Sequence, residues 1–386
     1  MTKIREGYKE TEIGVIPEDW EVSKLSQILQ NRSEKYTPNE DEDFLYVALE
    51  HIDQESGRLI GIGKSSESTS TKSAFYKKDV LFGKLRPYLR KYWLSDIDGV
   101  CSTEILALKP LTHPEFAFYT IQSNKFIEDI SNKAFGTKMP RTSWADMKDY
   151  KIPLPPLPEQ KRIAEILSTT DAHIEKLDKI IEDYKLLKKG MMKKLLTEGI
   201  GHTEFKETEI GRIPKEWEVK PLGEIASICY GKNQKEIEDE SGIYKILGTG
   251  GVMGKTNSYL WNQPSVLIGR KGTINKPMYI DEPFWTVDTL FYTKINYGYS
   301  GKWLYYYLNA IDLAKYNEAT GVPSLNSNTL SKIQIAVPTY SQQLEIEYVL
   351  SSLDSNINLL NDEKQDFIQL KKSLMEKLLT GKIRVV

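Results

Sequence analysis

The chain has 386 residues, enough for about two to three ordinary domains, and its 40% hydrophobic and 27% charged residues are the composition of a water-soluble globular protein. No run approaches the roughly 18 apolar residues of a membrane span, and the first ten residues, MTKIREGYKE, are polar rather than signal-like. The expected location is therefore cytoplasmic, with no membrane contact, and a net charge of −2 supplies no global attraction for nucleic acid. Cys101 and Cys229 stand far apart in apolar segments and read as small buried side chains. His51, His113, His173 and His202 form no metal-spaced cluster, so neither a metal site nor a cofactor site is expected in this chain.

Charge is unevenly spread. Residues 1–60 carry fourteen acidic and seven basic side chains, whereas residues 64–92 hold Lys64, Lys72, Lys77, Lys78, Lys84, Arg86, Arg90 and Lys91 against Glu67 and Asp79. A local basic patch matters more for binding than the total.

The chain opens on KETEIGVIPEDWEV (Lys9–Val22), a phrase that returns as KETEIGRIPKEWEV (Lys206–Val219), identical at 11 of 14 positions and offset by 197 residues. The first middle follows. FLYVALEHI, AFYKKDVLFGKLRPY and GVCSTEILALKP are β-branched and aromatic runs separated by Gly, Asp and Ser, which predicts strands. HPEFAFYTIQSNKFIEDISNKA predicts one helix. IPLPPLP then fixes an extended bridge into a long helix carrying Ile163, Leu167, Ile174, Leu177, Ile181, Tyr184, Met191 and Leu195 at four-three spacing, broken by Thr170 and Lys188. After the second opening phrase, IYKILG, PSVLIGRKGT and FWTVDTLFYTKI predict strands, and GKWLYYYLNAIDLAKYN a helix. The last long helix repeats the register through Ile346, Leu350, Leu353, Ile357, Leu360, Phe367, Leu374 and Leu378, with Lys364 and Lys371 as its breaks.

Ile152–Leu177 aligns with Ile335–Leu360, and Leu187–Ile200 with Leu370–Ile383, both at an offset of 183. The frame of each half is therefore shared while the enclosed middles differ: the chain is a tandem duplication of one domain followed by one helix. A spacing of 3.5 residues over several heptads is a coiled-coil seam that needs a partner. Pairing of the two copies about a two-fold axis predicts an antiparallel helix pair with one globular domain at each end. The alternative is that each helix packs on its own domain. The expected fold class is α+β: two globular α/β domains joined by two long helices in an antiparallel coiled coil, related by a pseudo-two-fold internal repeat.

Inside the divergent middles, Val80–Lys84 matches Val266–Arg270, an apolar strand ending in glycine and a cation. Such a strand presents a charge where backbone can approach a phosphate or base edge. The loops Gly136–Trp144 and Thr320–Asn328 share a proline, Pro140 and Pro323, at the 183 offset. Lys84, Arg86, Arg90 and Lys91 in the first half, and Lys255, Arg270, Lys271 and Lys276 in the second, are the candidate DNA contacts; a solvated surface charge is the competing reading for each. GTGGVMGKT (Gly248–Thr256) fails as a phosphate loop, because the glycine that motif requires falls on Thr249 and the segment opens no helix. No tetrad for amino methylation, no nucleophile elbow and no zinc helix are found, so no catalytic residue is assigned.

The succession of two variable domains, each followed by a heptad helix, resembles the specificity subunit of type I restriction–modification systems. I-P-L-P-P-L-P-E-Q-x-x-I-A-x-x-L and K-K-L-L-T at the helix ends add to the likeness. The resemblance covers essentially the whole chain, although the second copy has PTYSQQ (Pro338–Gln343) in place of PPLPEQ. It implies target-recognition domains at 1–155 and 203–338, helices at 156–202 and 339–386, and one half of a bipartite double-stranded DNA target per domain. It also implies docking of two methylation subunits on the helices and of restriction–motor subunits beyond them. S-adenosylmethionine, ATP and Mg are then expected on those partners, leaving this chain a non-catalytic recognition subunit. A subunit of a related two-site restriction system, a self-sufficient methyltransferase or nuclease, and a coiled-coil scaffold without DNA are the alternatives.

Overall fold

The computed structural model describes residues 4–38, 43–67, 69–136 and 138–385. The first three residues of the polar N-terminal stretch and Thr137 of the Gly136–Trp144 loop lie outside them. The chain divides into two compact units, Met1–Asp178 with Glu363–Val386, and Lys179–Asp362. The long helices span Leu157–Thr197 and Tyr340–Leu378. Each unit therefore holds one globular domain, the start of one long helix and the end of the other.

In the first unit, an antiparallel sheet orders Tyr92–Leu94, Val80–Gly83, Ile105–Pro110 and Leu29–Asn31. A second sheet of five short strands is mixed, with Gly99–Cys101 parallel to Leu45–Val47. The second unit repeats the plan with Ala226–Tyr230, Leu290–Ile295, Ser265–Gly269 and Met278–Ile280. Its smaller sheet again has one parallel pair, Tyr244–Gly248 with Phe284–Thr286. FWTVDTLFYTKI thus divides at Val287 into strands of different sheets. The single helix expected over residues 113–134 is two, Pro114–Thr120 and Asn124–Lys133. The break lets buried Ile121 as well as Ile127 and Ile130 face one core. Likewise Gly301–Ala310 stops where the Asp312 carboxylate accepts from Ala314 N–H and starts a separate 3-10 turn, Leu313–Tyr316.

The repeated opening phrase is the piece that seats the helices. Tyr8–Thr11 and Gly14–Pro17 form a hairpin, as do Phe205–Thr208 and Gly211–Pro214, and both turns close on a glycine at φ above +100°. Trp20 and Trp217, both fully buried, follow. The Trp20 indole N–H donates to Glu159 Oε2 at 2.8 Å, and the Trp217 indole N–H donates to Gln342 Oε1 at 2.8 Å. Gln160 and Gln343 each donate to a proline carbonyl of the bridge, Pro155 at 2.9 Å and Pro338 at 3.0 Å. PTYSQQ therefore does the same geometric work as PPLPEQ. The two copies differ in charge: Glu159 takes Arg384 at 2.8 Å, which also grips Asp19, whereas Gln342 takes His202 at 2.8 Å.

Helix pairing is antiparallel within each unit. In the first, Asp171 meets Lys371 at 2.6 Å and Asp178 meets Lys364 at 2.5 Å, one helix ascending as the other descends. In the second, Lys188 meets Asp354 at 2.5 Å, and Leu195 and Leu196 share a core with Ile346 and Leu350. The lysines that interrupt the heptads are thus the cross-helix ion pairs. The helix ends also pack on the globular cores, Ile163 and Leu167 beside Trp20 and Leu378, so pairing and domain packing coexist.

The Glu159 side chain is 2% exposed. Burial raises its carboxyl, but hydrogen bonds from Arg384 and Trp20 outweigh that and hold it below its ordinary value; Arg384 lowers Asp19 as well. Groups with depressed folded-state values stabilise above the unfolded carboxylate range and lose that contribution as pH falls through the folded value. Arg384→Ala is expected to destabilise the first unit by about 3 kcal/mol at neutral pH. In thermal melts, the gap from the parent chain should close progressively below about pH 4.

Candidate nucleic-acid interface

In both units the strand ending in glycine and a cation lies inside the four-stranded sheet, flanked on both sides, and the chain then turns out to meet the proline loop. The Lys84 carbonyl accepts Thr142 N–H at 3.1 Å, and the Arg270 carbonyl accepts Leu325 N–H at 2.9 Å. Thr142 and Leu325 are themselves 183 residues apart, each two past its proline. Arg86 N–H donates to Pro140 O at 2.7 Å, and Gly272 N–H to Pro323 O at 2.9 Å. Two loops distant in sequence therefore form one composite edge, built the same way twice.

The glycines serve the protein's own packing. A Cβ at Gly83 would lie 2.9 Å from Leu49 Cδ2, and one at Gly269 only 2.1 Å from the Thr273 carbonyl oxygen. The chain's own packing is therefore enough to require glycine at both positions.

The first-unit cations separate into two groups. Arg86 sits at φ +51° and Arg90 at φ +53°, left-handed conformations that bracket the turn Pro87–Leu89 and cost about 1–2 kcal/mol each. Arg86 reaches Lys138 O at 3.3 Å while its Nε is buried without a partner among the described residues. With Lys84, Lys138 and Arg141, it forms the basic part of the composite edge, Arg141 being paired to Glu104 at 3.0 Å. Arg90 instead faces Glu55 at 3.7 Å and donates to Gln122 O at 3.5 Å. The Lys91 ammonium donates to Leu49 O at 2.6 Å, an internal tether. The basic run of residues 64–92 is likewise not one surface: Lys72 is buried, Lys64 pairs with Asp43 at 3.4 Å and Lys78 with Glu115 at 2.5 Å.

In the second unit, the Arg270 guanidinium lies 5.3 Å from the Tyr230 ring centre and donates to Asp288 O at 3.0 Å. Lys271 is exposed beside it, bridged in β fashion to Ser324. Lys276 is exposed further along the same loop. Lys255 is exposed on the smaller sheet, opposite Lys245. GTGGVMGKT is a hairpin, Tyr244–Gly248 against Gly251–Thr256, whose turn residue Thr249 approaches Gly272, and it opens no helix. Exposed Val252 and Met253 stand on it. Exposed Phe135 and Met139 occupy the first unit's proline loop, and Val322 the second's. These apolar tips and Lys138 and Arg141 escaped sequence reading, because only the shared proline marked those loops.

No group of three or more His, Cys, Asp or Glu is placed to hold a metal among the described residues. Burial pushes the Cys101 thiol up to about 12, which leaves it unreactive. No helix among the described residues is long and apolar enough to cross a membrane.

Residues 17–183 and 214–369 each match the type I restriction modification DNA specificity domain. The chain is 30% identical to the type I restriction enzyme MjaVIII specificity subunit of Methanocaldococcus jannaschii, over 98% of this chain and 96% of that one. The solved S subunit of a type I restriction–modification system from M. genitalium superposes with a TM-score of 0.63 at 18% identity, covering 98% of both chains. A chain solved to explain complex assembly and conformational transition of the type I system superposes at 0.60, with 19% identity and coverage of 95% and 99%. The chain therefore belongs to the family of type I restriction–modification specificity subunits. It carries the family's DNA specificity domain twice, once in each half.

Gly269→Ala is expected to destabilise the second unit by about 1–3 kcal/mol, since the added methyl meets backbone that cannot rotate away. Denaturant titration should show the loss, and Gly250→Ala, at a position with nothing nearby, serves as the silent control.

Proposed function

We propose that this chain is the sequence-reading subunit of a type I restriction–modification complex, each globular domain binding one half of a bipartite double-stranded DNA target. The observation that carries the reading is the composite edge, built twice on shared backbone contacts but lined by different side chains. Equivalent scaffolds with different surfaces suit two half-sites of different sequence. Strain stored at Arg86, on the composite edge, fits a functional role there. The paired helices act as the spacer and dock two methylation subunits, with restriction–motor subunits joining the same cytoplasmic assembly. S-adenosylmethionine, ATP and Mg belong to those partners, and this chain is non-catalytic.

Replacing residues 23–151 by the corresponding region of a relative should change one half of the recognised sequence and leave the other intact. Methylome sequencing of a host expressing the hybrid with its methylation partner tests this; alteration of both halves, or of neither, would refute the two-headed reading. Arg86→Ala should cost roughly 1–3 kcal/mol with relaxed base choice if its guanidinium reaches a base edge. A phosphate contact would instead give uniform weakening and a shallower salt dependence of binding.

A further inference from the structure

The first unit carries a strap that joins its candidate DNA edge to the helix seam, with no counterpart among the described residues of the second unit. Asp178 on the first long helix accepts from two cations: Lys364 of the other long helix at 2.5 Å, and Arg58 of the globular domain at 2.8 Å. Arg58 ends a tight loop, closed by Asp53 N–H donating to the Arg58 carbonyl at 2.9 Å. Gly57 in that loop sits at φ +71°, where a Cβ would strike the Phe118 ring at 2.9 Å, so the loop lies flat on the domain. Three contacts pass from the loop to residue 90 and its neighbours. Glu55 N–H donates to Arg90 O at 3.1 Å, the Glu55 carboxylate faces the Arg90 guanidinium at 3.7 Å, and the Tyr92 hydroxyl donates to Glu55 O at 3.2 Å. Arg90 closes the left-handed turn that begins at Arg86. The path from seam to cationic turn is thus continuous.

Among the described residues, the second unit has no such path. The residues 183 positions from Asp178 and Lys364 are Asn361 and Ile181. Asn361 donates to Ile357 O of its own helix at 2.7 Å, and Ile181 is buried. The deeper rung is shared: Tyr119 donates to Asp171 at 2.9 Å in one unit and Tyr306 to Asp354 at 2.7 Å in the other. Among the described residues, only the first domain is held over a second rung, one heptad further along.

We infer that Arg58 is a positioning residue for DNA reading: by gripping Asp178 it fixes the cationic turn Arg86–Arg90 at a set place on the helix spacer. The inference rests on the two-headed reading above. Arg58 and Asp178 are both partly exposed, so the strap adds little to stability, and its loss should change where the turn sits rather than whether the domain folds.

The experiment uses the full chain assembled with its methylation partner, with Arg58→Ala, Asp178→Asn and Arg58→Lys compared by methylome sequencing; Arg58→Ala breaks the strap alone, whereas Asp178→Asn also takes the carboxylate from Lys364. Arg58→Ala and Asp178→Asn should raise methylation of sites whose spacer is one base pair too long or short by about two- to fivefold relative to the proper site. Arg58→Lys, which keeps the charge, should restore the parent distribution. Hydrogen exchange of the DNA-free chain should accelerate several-fold at residues 84–91 in both strap-breaking variants, with the second unit unchanged. An unchanged spacer distribution, unchanged exchange at 84–91, or a lysine variant that behaves like alanine would overturn the inference. Absence of any sequence-specific methylation by the parent complex would instead strike the functional reading, and the exchange measurement would still decide the strap.

Discussion

A lysine in the middle of a hydrophobic seam is stable only opposite a carboxylate, and that constraint organises this molecule. Lys371 meets Asp171, whose other oxygen accepts from Tyr119; Lys188 meets Asp354, whose other oxygen accepts from Tyr306. Both lysines also lie 5.5 Å from the tyrosine ring. Each node joins two helices and one globular domain. Burial, followed by the neighbouring carboxylate, raises both phenols, so they remain neutral donors. Sliding either helix by one residue would leave a charge facing hydrocarbon, which costs several kcal/mol. The nodes therefore fix register where Leu and Ile alone would permit alternatives.

The same economy appears at the helix starts. A tryptophan from the opening phrase must find an acceptor for its buried indole N–H, and the third residue of the long helix supplies it. Where that residue is Glu159, a cation is required, and Arg384 of the C-terminal segment answers. Where it is Gln342, the Nε2 of His202 lies 2.8 Å from its amide nitrogen and no arginine is called for. The two copies have solved one packing problem with different electrostatics: an arginine–carboxylate pair in the first and a neutral side-chain amide in the second.

Function follows from what the frame leaves free. The seam, the hairpins and the helix starts are nearly the same twice, while the composite edges share backbone contacts and little else. A scaffold of this kind can change what it reads without changing how it is assembled, since the varying side chains stand on loops held by carbonyl and amide groups.

The sequence by itself determined the duplication, the antiparallel seam and the family, because these rest on period and identity, which are local or directly comparable. It also marked Lys188, Lys364 and Lys371 as interruptions, though not as ion pairs, since their partners lie roughly 165 to 200 residues away in the chain. Legibility of the site was poorer. Lys84, Arg86, Arg270 and Lys271 do reach the composite edges, but Arg90 and Lys91 turn inward to Glu55 and Leu49, and Lys255 stands on another sheet. Nothing in a linear pattern separates a cation aimed at solvent from one satisfied by a distant carbonyl. The glycines show the same limit: that Gly83 and Gly269 make room for the chain's own Leu49 and Thr273 emerges only when those segments are brought together.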